Sequence, residues 1–137
     1  MESRMTENLI RGFFAAADSL DEERFLGGLP EDIVWRFGNF PVANGREAVR
    51  EQYRLVTGIL TAMYHDIVGM WAAGDCVTAE TRVHYTDRHG RKFEFPGCDI
   101  IFLEGGQIKE VRIFVDNHTL FIPPTEEYAA RAAEEIA

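Results

Sequence analysis

The second half of the chain contains four β-rich runs in succession, and short turn signals separate them. The runs cover residues 62–73, 76–86, 91–103 and 107–115. The segments between them are rich in Gly and charged residues: Ala73-Gly74-Asp75, Asp87-Arg88-His89-Gly90 and Glu104-Gly105-Gly106. Consecutive strands joined by such short turns pair with their neighbours as hairpins. The pattern therefore predicts an antiparallel meander of four strands.

The first half of the chain carries three helical patterns and one short strand, and a fourth helical pattern lies at the C-terminal end. Apolar residues recur at helical spacing in the first three segments, and Ala and Glu dominate the fourth. The predicted helices cover residues 6–18, 19–26, 46–60 and from Thr125 onwards. The residues expected to cap the first three are Thr6, Ser19 (in a capping box with Glu22) and Asn44. Alternating apolar residues predict the strand at about 32–37.

A chain of 137 residues is long enough for one ordinary domain, so we expect a single domain over residues 1–137. Helices that precede one antiparallel sheet predict an α+β fold in which the helices pack on one face. A long curved sheet closed by helices on one side makes a cone with a pocket inside.

The residues of the last predicted strand indicate that the face of the sheet opposite the helices is also buried. In VRIFV, residues 111–115, both faces of the strand are apolar apart from Arg112. A strand with this pattern is typically covered on both sides. Because the helices can cover only one face, we expect a homodimer that forms through the sheet.

The composition narrows the class of protein. Hydrophobic residues make up 46% of the chain and charged residues 27%, as in soluble folded proteins. A formal net charge of −9 argues against a nucleic-acid partner. No apolar run approaches the roughly 20 residues of a membrane helix, and MESRMTENLIRGFF lacks the pattern of a secretory signal. We therefore expect a cytoplasmic protein with no membrane partner.

Three polar residues stand at strand positions that apolar residues would fill more stably. In ETRVHYT, residues 80–86, Arg82 and His84 lie on the same face of the predicted strand. The strand pattern alone leaves open whether that face points to solvent or to a pocket. Asp116 follows the last apolar run, where it either joins a site or begins a turn with Asn117.

Asp99 is a fourth polar candidate, in an otherwise apolar row of the third long strand. Apolar surroundings raise the pKa of a carboxyl group, so Asp99 could act as a neutral hydrogen-bond donor. Pairing with a neighbouring arginine is the alternative. The aromatic residues expected in the core, some of them lining a pocket, are Trp35, Phe37, Tyr53, Tyr64 and Phe114.

Metal and cofactor motifs are not indicated. Two short segments, His65-Asp66 and Asp116-Asn117-His118, contain metal-binding residue types, but no spacing places three ligands on one face. The chain has no glycine-rich phosphate loop between a strand and a helix. We therefore expect neither a metal nor an organic cofactor.

The order of elements resembles the cone-shaped α+β fold of nuclear transport factor 2. Within that superfamily the sequence is most similar to the SnoaL-like polyketide cyclases and the limonene epoxide hydrolases. The segments that carry the resemblance are FGNFPVANGREAV (37–49), ETRVHY (80–85) and HGRKFEFPGCDIIFLEGGQIKEVRIFVD (89–116). The fold hosts isomerases, dehydratases, cyclases, hydrolases and binding proteins, so the resemblance does not fix one activity.

The resemblance implies a set of site residues. Limonene epoxide hydrolases carry Arg-x-Asp on one strand and Asp at the end of the last, with Asn and Tyr in an earlier loop. Arg82 and Asp116 match the arginine and the last aspartate, while His84 stands in place of the first aspartate. Asn39 matches the loop asparagine, and Phe37 replaces the tyrosine.

Two other branches of the superfamily offer further comparisons. Asp99 looks like the oxyanion-hole aspartate of the ketosteroid isomerases, but residues 36–39 lack their base aspartate. SnoaL-like cyclases use a pocket histidine and a late aspartate as acid and base, and His84 with Asp116 is similar to that pair.

These resemblances imply a cofactor-independent enzyme that acts on an apolar small molecule in the cone. Asp116 and His84 would be the acid–base pair, Arg82 would orient them, and Asn39 would contact water or substrate. The reaction would be an epoxide opening, a cyclisation, an isomerisation or a dehydration, each of which needs a donor aimed at a developing negative charge. The alternative is a non-catalytic ligand-binding or dimerisation module of the same fold.

Overall fold

The computed structural model describes residues 2–124, with side chains from residue 4 onwards. The helices are α1 Glu2–Asp18, α2 Glu22–Gly27 and α3 Arg46–Thr57, with a short 3-10 helix at His118–Phe121. The strands are β1 Val34–Phe37, β2 Ala43–Asn44, β3 Leu60–Ala73, β4 Cys76–Asp87, β5 Lys92–Glu104 and β6 Gln107–Val115. The helix predicted from Thr125 lies outside the described residues.

The six strands form one sheet in the order β2-β1-β6-β5-β4-β3. The four long strands pair with their sequence neighbours in antiparallel fashion, which confirms the predicted meander. β1 pairs in parallel with β6 and so extends the sheet beyond the last strand of the meander. The two-residue strand β2 lies in the segment that the sequence predicted as a loop, and it pairs with β1. A register shift between Ile67 and Gly69 interrupts the β3–β4 ladder, and such a bulge bends a strand.

The helices pack on one face of the sheet, as expected for the α+β class. On α1 the buried residues recur at helical spacing: Ile10, Phe13, Phe14 and Ala17. On α3 they are Val49, Tyr53 and Val56. The facing row of β4 is buried at every second residue from Val77 to Asp87. No helix among the described residues is long and apolar enough to span a membrane.

All three predicted caps are wrong. Thr6 lies inside α1, which begins at Glu2. The second helix begins one residue after Asp21, whose carboxylate accepts a hydrogen bond from the Arg24 backbone at 3.2 Å. Ser19 instead accepts from the Asp21 backbone and donates to the Ala16 carbonyl at 2.6 Å, so it belongs to the end of α1. The N-cap of α3 is Gly45 rather than Asn44, and its φ of 92° favours glycine.

The end of α1 is fixed by contacts with α3. The Tyr53 hydroxyl donates to the carbonyl of Ala17 at 2.8 Å, and this bond satisfies one of the carbonyls left free at a helix C-terminus. The Tyr53 ring stacks on Phe25 with centroids 4.3 Å apart. Leu20 has a φ of 57°, so the chain turns away just after the helix. These contacts hold the last helical residue, Asp18, in one place at the edge of the sheet.

Candidate functional site

The helices and the inner face of the sheet enclose a cavity. Its wall is mainly aromatic and aliphatic, and its polar residues are Gln52, Tyr53, His65, Thr81, Tyr85 and Asp99. The cavity has a volume of about 60 Å³. One water needs roughly 10–15 Å³ of such space. The cavity therefore has room for a few waters or for one compact ligand.

Asp99 supplies a carboxyl group to the cavity wall. It lies on the inner row of β5, opposite Ala79 of β4 and Ile113 of β6, and it is 3% exposed. Among residues 4–124, whose side chains the structure describes, no group forms a hydrogen bond or an ion pair with its carboxyl oxygens. Burial raises the pKa of Asp99 to about 7, while the nearby His65 opposes this rise. Near neutral pH this group is therefore available both as an acid and as a carboxylate.

His65 lies in the same cavity wall, on the inner row of β3, and Asp18 holds it in place. The His65 backbone N–H donates to Asp18 Oδ2 at 2.8 Å, and the ring Nδ1 lies 2.5 Å from Asp18 Oδ1. The two side chains are 15% and 14% exposed. The ring packs against Phe14 with centroids 4.9 Å apart. A carboxylate partner at Nδ1 fixes the ring orientation and leaves Nε2 as the nitrogen available for proton transfer.

Tyr85 and Thr81 add hydroxyl groups from the inner row of β4. Burial raises the pKa of the Tyr85 phenol, and the Asn117 side chain opposes this rise. Gly97 lies opposite Thr81, and a Cβ atom at that glycine would come within 2.9 Å of Thr81 Oγ1. The glycine thus leaves room beside Asp99 that a side chain would fill.

Comparison with known proteins identifies the family. A model of the SnoaL-like domain matches residues 10–111, about three quarters of the chain. The chain belongs to this family. No curated protein matches the sequence.

Solved structures similar to this SnoaL-like domain share its α+β fold, the nuclear transport factor 2-like cone. A candidate polyketide cyclase from Xanthomonas campestris is 23% identical with a TM-score of 0.73, covering 82% of this chain and 91% of that one. An LEH-like epoxide hydrolase from M. tuberculosis is 18% identical with a TM-score of 0.70, covering 94% and 92%. A Catenulispora acidiphila protein with a ketosteroid isomerase-like fold, in complex with trimethylamine, is 15% identical with a TM-score of 0.74, covering 82% and 88%. At these identities the likeness shows the fold alone.

Four of the residues predicted from the sequence line the cavity of this SnoaL-like domain: Trp35, Phe37, Tyr53 and Asp99. For Asp99 the sequence left two interpretations open, an arginine partner or a raised pKa. The structure supports the second, since no arginine of residues 4–124 pairs with this carboxyl group and burial raises its pKa.

The prediction that Arg82 and His84 face the cone interior is wrong. Both lie on the row of β4 that alternates with the buried row, so they point away from the helices. The Arg82 guanidinium lies 3.5 Å from Glu80, and the His84 ring lies 5.9 Å from the ring of Tyr64. Tyr64 is on the same outer face and is 58% exposed, so its predicted place in the pocket is also wrong. The apolar row of β4 takes the inner face because the helices bury it.

Asp116, Asn39 and Phe114 also lie outside the cavity wall. Asp116 follows the last residue of β6, is exposed, and accepts a hydrogen bond from the His118 backbone at 3.3 Å. It therefore begins a turn, which was the alternative interpretation of this residue. Asn39 is exposed in the loop after β1. Phe114 is 53% exposed because it alternates along β6 with Ile113 and Val115, which line the cavity.

Asp18 and His65 were not predicted from the sequence to be partners. One signal was available, because His65 shares a strand row with Met63 and Ile67, and a histidine among inward-facing apolar residues is unusual. Among the described residues, no group of three or more His, Cys, Asp or Glu side chains is arranged to hold a metal ion.

Proposed function

We propose that this SnoaL-like domain is a cofactor-independent acid–base enzyme for a compact, mostly apolar carbonyl compound. His65 serves as the base and Asp99 as the acid that stabilises negative charge on the carbonyl oxygen. The observation that carries the proposal is a single one: a buried, unpartnered carboxyl group shares an apolar cavity with a histidine whose other ring nitrogen is held by Asp18.

The two groups suit opposite tasks in proton transfer. Nε2 of His65 accepts a proton from the carbon next to the substrate carbonyl, and the Asp18 carboxylate stabilises the resulting imidazolium through Nδ1–H. The protonated Asp99 donates a hydrogen bond to the carbonyl oxygen as it gains negative charge. A donor of this kind is worth most in a cavity that excludes water.

The fate of the enolate decides the reaction class. Return of the proton from His65 to a different carbon gives an isomerisation. Attack of the enolate carbon on a second carbonyl gives an aldol-type cyclisation, and loss of a β-hydroxyl as water gives a dehydration. The arrangement gives less support to epoxide opening, since Arg82 and Asp116, the residues matched to that chemistry, lie outside the cavity wall.

Exchange of α-protons in D₂O tests the shared first step of these reactions. Acetophenone, phenylacetone and cyclohexanone are incubated with the protein, and loss of the α-proton signal is followed by ¹H NMR. We expect exchange of at least one ketone to be faster than in buffer at the same pH. Binding without exchange, seen as amide shifts in a ¹⁵N-labelled sample, would assign the domain to the alternative class of non-catalytic ligand-binding modules. If the protein neither binds these ketones nor catalyses their exchange, the whole proposal is contradicted.

We also propose that the outer face of the sheet forms a homodimer. Large apolar side chains are exposed on it: Tyr64, Val68, Trp71 and Phe114, each 52–59% exposed. Charges of both signs lie between them, as in the Arg82–Glu80 and Arg112–Glu110 pairs. A face that carries both signs suits a second copy of a chain whose net charge is −9.

The dimer is tested by placing a charge within its proposed interface. Phe114→Glu is expected to convert a dimer into a monomer, because a buried unpaired carboxylate opposes association. Leu55→Glu is the matched control, since Leu55 is 59% exposed on α3, away from this face. Light scattering after size exclusion measures both. A wild-type monomer, or a dimer that survives Phe114→Glu and breaks with Leu55→Glu, would contradict the proposed interface.

A further inference from the structure

Gln52 is a polar residue on the apolar face of α3. It follows Val49 by three positions and precedes Val56 by four, and both valines are buried. Residues at these spacings share one side of a helix, so Gln52 points towards the sheet and lines the cavity. The chemistry proposed for His65 and Asp99 makes no use of it.

The orientation of the Gln52 amide is set by a loop. Its Nε2 donates to the carbonyl oxygen of Pro41 at 2.6 Å. The reverse orientation would place two acceptor oxygens against each other at that distance, so the hydrogen bond fixes which end is oxygen. Phe40, next to Pro41, is held in turn by a backbone hydrogen bond to Phe37 at 2.9 Å and by stacking on its ring. The amide is therefore anchored before any ligand arrives.

The other end of the amide has no partner. Gln52 Oε1 is buried, and no hydrogen bond reaches it within the part of the chain that the structure describes. Buried acceptors without partners are rare because they lose their bonds to water without replacement. An orphaned acceptor on a cavity-lining residue is satisfied by the molecule that fills the cavity.

We infer that Gln52 is a specificity-determining residue that accepts a hydrogen bond from a hydroxyl or N–H group of the substrate. This rests on the proposed function and narrows its substrate class. The substrate carries two polar groups on an apolar frame: a carbonyl acceptor, which Asp99 binds, and a donor, which Gln52 binds. A hydroxylated aromatic or alicyclic ketone has this pattern, whereas a simple hydrocarbon ketone lacks the donor.

Matched ketones test the inference by binding alone. The probes are 2-, 3- and 4-hydroxyacetophenone, each compared with the methylacetophenone of the same substitution, and dissociation constants are measured by NMR titration. For the isomer that fits best, we expect the hydroxyl compound to bind the wild type about tenfold more tightly than its methyl partner, the effect of about one net hydrogen bond. Gln52→Met should reduce this ratio to near one while leaving the affinity for the methyl compound largely unchanged.

A second variant separates recognition from the anchoring of the loop. Gln52→Glu replaces the donor to Pro41 with a second acceptor oxygen, which the Pro41 carbonyl repels, so the carboxylate should turn away from the loop. It still offers an acceptor to the ligand, so it should retain the preference for the hydroxyl compound. The inference is overturned if Gln52→Met binds the hydroxyl compound as much more tightly than the methyl compound as the wild type does. It is also overturned if the wild type shows no preference for the hydroxyl compound or binds neither compound. These outcomes are separate from the proton-exchange result: exchange without a donor preference leaves the proposed function standing, and a donor preference without exchange leaves only a binding site.

Discussion

Replacing His65 with Gln is expected to lower turnover by about 10²- to 10⁴-fold, the usual loss when a general base is removed. Gln cannot accept a proton at neutral pH, although its size is close to that of the histidine. The rate to measure is α-proton exchange for whichever ketone the wild type processes. Thermal unfolding of the same sample shows whether the variant remains folded, because Asp18 loses its contact with the imidazole and keeps only the backbone N–H of residue 65.

The matched controls are Arg82→Ala and His84→Ala. Both side chains lie on the outer face of the sheet, so turnover should remain close to the wild-type rate. Asp116→Asn should behave in the same way, since its side chain is exposed beyond the end of β6. If these variants lose turnover while His65→Gln keeps it, the base is not His65 and the residues first indicated by the sequence carry the chemistry.

The comparison of β4 shows what strand periodicity can predict. Alternation correctly placed Arg82 and His84 on one side of the strand and Val83 and Tyr85 on the other. Alternation does not indicate which side of the strand the helices cover. The resemblance to epoxide hydrolases favoured the side that carries Arg82 and His84, which is the wrong side. The free energy of burial alone favours the observed orientation of β4, because covering its apolar row with helices stabilises the fold. A polar row would have needed partners for every buried group.

The pair of Asp18 and His65 could not be predicted from local patterns. The two residues are 47 positions apart, and they meet because the end of α1 packs against β3. That contact depends on the angle of the helix across the sheet and on the bond from Tyr53 to Ala17. By contrast, the row of Asp99 was predictable, since Gly97 and Ile101 flank it at strand spacing and all three are buried.

Asp99→Asn is expected to stabilise the protein, by an amount that grows with pH. The pKa of Asp99 is about 7 in the folded protein, against an ordinary value of 3.8. Between these two values the folded state holds a proton that the unfolded state has released, so wild-type stability falls as the pH rises. Below about pH 4 both states are protonated and Asn offers little advantage. Above about pH 8 the wild type must bury a charged carboxylate, and Asn avoids this cost.

The size of the effect follows from the same two values. One pKa unit corresponds to about 1.4 kcal/mol, so the advantage of Asn at pH 8 should reach a few kcal/mol and raise the melting temperature by about 10 °C. Urea unfolding at pH 4.5, 6 and 8 measures it. Asp116→Asn is the control, because exchange of an exposed carboxylate should change stability by less than about 0.5 kcal/mol. An advantage for Asp99→Asn that stays constant with pH would mean that Asp99 is already ionised at pH 4.5. It would then be unable to donate the hydrogen bond on which the proposed chemistry depends.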